Sequence, residues 1–154
     1  MRIIIALVFL GFCAFHLNRG YQRARQESPQ RVDPRLASSV ARWRHDMERT
    51  PLIWQARFAR VKRIEVEPLP DGRAGCYDQW SRAVLVSQER LAAGAYSTRA
   101  TVYHELGHGV LLLGHSSCKL MGPTKSEEYY RAHWGELVSE YIIAADNNKH
   151  NFTP

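Results

Sequence analysis

His104 and His108 stand four residues apart, with Glu105 directly after the first of them. Side chains at i and i+4 share one face of an α-helix, so this spacing can aim two imidazoles at a single point only if the segment is helical. The window from Thr98 to Leu113 reads as that helix. Ser97 or Thr98 is available as N-cap, and Val102, Leu106, Val110 and Leu113 recur at helical spacing on an inward face. Whatever else the chain builds must pack against that face.

Two neutral imidazoles on one helical turn can share a tetrahedral zinc ion. A carboxylate beside the metal, not on it, can take a proton from an attacking water and return it to a leaving amine. His104-Glu105-Leu106-Gly107-His108 therefore carries the chemistry expected of a metallopeptidase. Hydrolytic zinc sites use three protein ligands and leave the fourth position to water, so a third ligand is needed. His115 is the candidate: it follows His108 by seven residues and stands behind Gly114, which is expected to end the helix with a positive φ and turn the chain back toward the metal. Ser116 to Pro123 then reads as a tight turn around Met121, held by Gly122 and Pro123.

Between Tyr103 and Pro123 the chain resembles the metzincin group of zinc peptidases. The resemblance implies a zincin-like α+β fold, Zn2+ held by His104, His108 and His115, Glu105 as the catalytic base, and Met121 in a turn that floors the three imidazoles. The usual metzincin spacing puts Gly three and His six residues after the second histidine, where this chain has Leu111 and Gly114. The third histidine arrives one residue later, a spacing similar to that of small divergent bacterial and phage metallopeptidases. A rival lies downstream: Gly135 to Glu140 resembles the second-helix segment of gluzincins, which would make Glu136 a zinc ligand and His115 a bystander. Glu136 and Glu140 also fit a solvated face of the last helix.

At 154 residues, the chain has room for one compact domain beyond its N-terminal apolar stretch. Ile3 to Leu17 is almost unbroken apolar sequence, shorter than the roughly 20 residues of a bilayer span and the right size for an export signal or a short anchor. Arg19, Arg23, Arg25 and Arg31 follow it, no small-x-small cleavage site is evident, and Phe12 before Cys13 fits a lipidation box badly, so an uncleaved anchor remains open. Residues 1–17 are thus a signal peptide or membrane anchor, residues 18–32 a basic linker, and residues 33–154 the zincin-like domain. Residues 1–63 hold 13 Lys+Arg against 4 Asp+Glu, and residues 64–154 hold 8 against 11, so the basic excess belongs to the N-terminal part. That excess fits an anionic lipid surface, nucleic acid or ordinary solvated helix faces, and beside an apolar segment the lipid reading gains weight. No zinc finger, helix-turn-helix or aromatic stacking signature points to nucleic acid. Nothing specifies an oligomeric state.

The rest of the domain is expected to be a small twisted sheet packed on the motif helix, with helices at either end. Asp33-Pro34 reads as an N-cap and first helical residue, and Leu36, Val40, Trp43 and Met47 follow at helical spacing to Arg49. Leu52 to Lys62 reads as partly helical with Trp54, Phe58 and Val61 inward; Ile64 to Glu67 as a half-buried strand; Asp71-Gly72 as a turn; Gly75 to Trp80 and Ala83 to Ser87 as two more strands. Thr124 with Glu127 suggests a capping box opening a last helix to Ala145, with Tyr130, Trp134, Leu137, Tyr141 and Ile142 on its apolar face. Tyr129, Tyr130 and His133 are local candidates for stabilising an oxyanion, though aromatics at this spacing also suit a core. Cys76 and Cys118 can form one disulfide or remain free thiols, and Cys118 can approach the metal.

These features together suggest a membrane-anchored or exported zinc endopeptidase acting on a peptide or protein substrate, which can pair with a sheet edge above the cleft. The competing expectation is a non-catalytic zinc-binding envelope protein on the same scaffold. Glu105 separates them, because a scaffold needs the histidines but has little use for that carboxylate.

Overall fold

Apolar residues alternate with polar ones in Ile64-Glu65-Val66-Glu67, and this period of two buries Ile64 and Val66 while the glutamates stay half-exposed. In the computed structural model, which describes residues 31–148, this segment is β2 (Arg63–Glu67) of a four-stranded sheet. The other strands are β1 (Arg31–Val32), β3 (Gly75–Asp78) and β4 (Ala83–Ser87), in the order β1-β2-β4-β3. β1, β2 and β4 run parallel, and β3 is an antiparallel edge strand on β4. Residues 31–32, expected as the end of the linker, thus belong to the sheet. The β3–β4 hairpin closes two residues earlier than expected, at Asp78, whose carboxylate accepts from the Trp80 amide and the Ser81 hydroxyl. Arg82 completes the turn at φ 54°.

Asp33 caps a 3₁₀ turn (Pro34–Leu36) that leads into α1 (Ala37–Glu48), and its carboxylate accepts from the Arg35 amide. Leu36, Val40, Trp43 and Met47 are buried along α1 as their spacing requires. The single turn α2 (Gln55–Phe58) supplies Phe58, which stacks on Trp43 at 5.4 Å, while Trp54 meets Trp43 edge-on at 5.3 Å. β4 passes straight into a short helix, α3 (Gln88–Ala93), where Ser87 accepts from the Arg90 amide. The sequence had given no sign of α3.

The motif helix, α4 (Ala95–Gly109), begins three residues before the expected window and ends four before its limit. Its N-cap position is Gly94 at φ 134°, and Ser97 and Thr98 lie inside the helix instead of capping it. Thr98 and Thr101 turn their hydroxyls back onto the carbonyls of Gly94 and Ser97. The open amides of the first turn are capped from a distance, by the Glu127 carboxylate, which accepts from Tyr96 N at 3.2 Å and Ser97 N at 2.7 Å. Glu127 is therefore not half of a local capping box with Thr124. It opens α5 (Glu127–Asn147), and Ser126 caps that helix by accepting from the Tyr129 amide.

Burial alone would raise the Glu127 pKa, but the amides of Ser97 and Tyr96 outweigh it and leave the group below its ordinary value. Its stabilising effect is complete above the unfolded pKa and is lost as pH falls through the lower folded one. Glu127→Gln should cost about 1 kcal/mol near neutral pH, a difference that shrinks in acid. Urea denaturation midpoints at several pH values would measure it, and a constant difference would contradict the cap.

α5 packs on α4 through Tyr103, which meets Trp134 at 5.1 Å and Tyr141 at 5.5 Å. A buried polar chain ties both helices to α1. Trp43 Nε1 donates to the Tyr141 hydroxyl, which donates to the Tyr103 carbonyl, and the Tyr103 hydroxyl donates to Asp46 at 2.6 Å. Arg42 closes it with an ion pair to Asp46. The described residues thus form a mixed α+β fold of five α-helices and a small four-stranded sheet. No helix among the described residues is long and apolar enough to cross a membrane; the expected signal or anchor, residues 1–17, lies outside them.

Candidate metal centre

α4 presents His104 and His108 on one face, one turn apart, and the chain leaving it brings His115 back to them. Gly114 does not make that turn. Positive φ falls instead on Leu112, at 54°, after the helix has opened through a wide bond from Leu113 N to the Gly107 carbonyl. A non-glycine residue held there costs of order 1–3 kcal/mol and persists only where its surroundings enforce it. Asn148, at the end of α5, does so: its side-chain amide donates to the carbonyls of Leu111 and Leu112 at 2.8 and 3.1 Å.

Nε2 of His108 lies 3.1 Å from Nε2 of His104 and 3.1 Å from Nε2 of His115. Nδ1 of His104 is 2.8 Å from the Leu120 carbonyl, and Nδ1 of His108 is 2.8 Å from that of Leu113. A carbonyl only accepts, so both Nδ1 atoms carry the hydrogen and both Nε2 atoms present lone pairs. Burial depresses the pKa of both rings, which keeps them neutral. Lone pairs facing one another at this distance repel, unless a cation lies between them. The donor set fits a divalent ion: tetrahedral ligands at about 2.0–2.1 Å would stand about 3.3 Å apart. His104, His108 and His115 could hold a metal ion.

Glu105 stands between the two helical histidines in sequence but turns under the sheet edge. Its carboxylate is only 6% exposed and accepts from the Tyr77 amide of β3. Burial pushes its pKa up to about 7, with the Tyr77 amide pulling the other way. Gly75 makes the approach possible, since a Cβ there would stand 2.7 Å from Glu105 Oε1 and 2.6 Å from the Thr101 methyl. A cavity of about 330 Å³ opens over Gly75, Thr101, His104, Glu105, His115 and Tyr130, with Arg73 and Thr124 at its lining.

Met121 is fully buried in a 3₁₀ turn (Lys119–Met121) and packs against α4 where Gly107 leaves room: a Cβ at Gly107 would meet its sulfur at 2.5 Å. Glu136 does not join the histidines. Lys119 holds it at 2.6 Å and Glu140 at 2.7 Å, and Glu136 is largely exposed. Cys76 and Cys118 are free thiols, each raised in pKa by burial, and neither belongs to the histidine group.

Of the three oxyanion candidates, Tyr130 reaches the cavity, while Tyr129 and His133 stack on each other at 4.5 Å. The Tyr130 hydroxyl accepts from the Lys125 amide, which leaves its own proton to donate. The orienting carbonyls of Leu113 and Leu120 could not be read from side-chain identities, because every residue carries a carbonyl. Arg73 carried no sequence signal, and Thr124 signalled only a helix cap. No protein-family model matches this chain, and neither does any curated protein or solved structure.

Proposed function

We infer that the protein is a zinc-dependent peptidase on a zincin-like scaffold, working at a membrane or after export. The observation that carries this reading is the convergence of three imidazole Nε2 atoms beside a buried carboxylate that is not one of the ligands. Zinc, when bound by the three histidines, supplies the Lewis acidity that polarises a carbonyl and lowers the pKa of a water to near neutrality.

The chain's own residues do the rest. Glu105 accepts the proton of the attacking water and passes it to the amine nitrogen as the C–N bond breaks, a shuttle suited to a group titrating near 7. Tyr130 donates its hydroxyl proton toward the carbonyl oxygen as negative charge develops there. The antiparallel edge strand β3 borders the cavity at Gly75 and offers backbone groups to an extended peptide, while Glu105 already uses the Tyr77 amide. The Leu113 and Leu120 carbonyls keep the ligand rings in one tautomer and one orientation.

A broad peptide library incubated with the purified full chain tests the reading. Cleavage should be abolished by a chelator and restored by zinc. Stoichiometric zinc with no cleavage of any peptide would favour the non-catalytic envelope protein.

A further inference from the structure

The last rung of the sheet runs Arg31, Arg63, Ala83, Asp78 across all four strands. Just beyond it lie the approach to β2 and the β3–β4 hairpin, joined by a bond from Lys62 N to the Arg82 carbonyl. Trp80 stands at the hairpin tip with 98% of its surface exposed. The other three tryptophans, Trp43, Trp54 and Trp134, are buried. Exposing a whole indole has no folding advantage, and tryptophan is the side chain that best suits the boundary between lipid and water.

The charge at this end matches. Arg60 and Arg82 are exposed, both lie within electrostatic reach of Tyr77, and neither has an ion pair among the described residues; Lys62 is half-exposed beside them. The one carboxylate on the rung, Asp78, is occupied by Ser81 and the Trp80 amide. Arg31 and Arg63 share Glu65, which points back along the sheet. The sequence before Arg31, with its apolar run at residues 3–17, joins the domain on this same rung.

We propose that this end of the sheet is a second membrane contact: Trp80 enters the interface of an anionic bilayer, and Arg60, Lys62 and Arg82 engage its headgroups. Lipid is favoured over a protein partner because the chain that carries the apolar run enters the described domain at this end, and because a lone indole ringed by cations suits a fluid anionic surface. None of these four residues lines the cavity over the histidines, which borders β3 at Gly75, so the contact can be tested apart from the metal site.

Because only Trp80 is exposed, its fluorescence can be followed in the full chain whatever residues 1–17 do. The full chain is mixed with vesicles of brominated phosphatidylcholine, alone or equimolar with phosphatidylglycerol. Trp80 emission should shift to the blue and be quenched in the anionic vesicles, with the quenching lost in Trp80→Phe. Arg60→Gln combined with Arg82→Gln should lower the docked-to-free ratio by about 30-fold, and added salt should lower it too. The substituted side chains are exposed, so unchanged near-ultraviolet circular dichroism is expected. Equal quenching in neutral vesicles would overturn the proposal, as would co-sedimentation with vesicles while Trp80 stays unquenched. Protection of Trp80 from acrylamide by peptides but not by vesicles would reassign the tip to substrate.

Discussion

Glu105→Gln should keep its zinc and lose peptide hydrolysis by about 10²–10⁴-fold, the usual contribution of a positioned general base. Glutamine fills the same space and can still accept from the Tyr77 amide, yet it cannot take a proton from water. The same substitution should move stability in the opposite direction. In the wild type, burial raises the Glu105 pKa from 4.5 to about 7, so the folded protein holds that proton more tightly than the unfolded chain. The contribution of Glu105 to stability is therefore greatest below pH 4.5, falls as pH rises toward 7, and is flat above that. With the metal chelated, Glu105→Gln should match the wild type in acid and exceed it above neutrality by on the order of 3 kcal/mol. Activity assays, zinc analysis and urea midpoints across pH give the three readings. Loss of zinc from this variant would make Glu105 a ligand and not the base.

The second large effect concerns the third ligand. His115→Ala should weaken zinc binding by more than about 100-fold, since losing even an outer partner of a ligand costs 10–100-fold. Glu136→Gln should leave zinc unchanged, because its carboxylate is engaged by Lys119 at the surface, away from the histidines. Competition against a zinc-sensitive dye would rank the variants. The reverse order would transfer the ligand role to Glu136 and leave His115 without one.

Short-range signals were well written in the sequence. The spacing of Leu36, Val40, Trp43 and Met47 announced α1, the alternation in residues 64–67 announced β2, and the His104–His108 spacing required a helix that the structure supplies. Signals that depend on distant partners were not. Ser97 and Thr98 have the chemistry of caps, but the helix starts before them, at Ala95, and the Tyr96 and Ser97 amides of its first turn are capped by Glu127, about 30 residues downstream. Gly114 was the natural choice for a left-handed residue, yet Leu112 adopts that conformation because Asn148 fixes the two carbonyls around it. The six residues of α3 follow a strand with no punctuation except Ser87, too little to mark a helix start without knowing where the strand stops.

The grip of Asn148 on Leu111 and Leu112 has a temporal side. Synthesis runs from the amino terminus, so a growing chain acquires all three histidines more than thirty residues before it acquires the amide that sets the bend delivering the last of them. Until then the bend lacks its enforcing partner, and the first turn of the helix below it waits for Glu127 as well. A half-made molecule would carry all three histidines without the contact that fixes the bend between them.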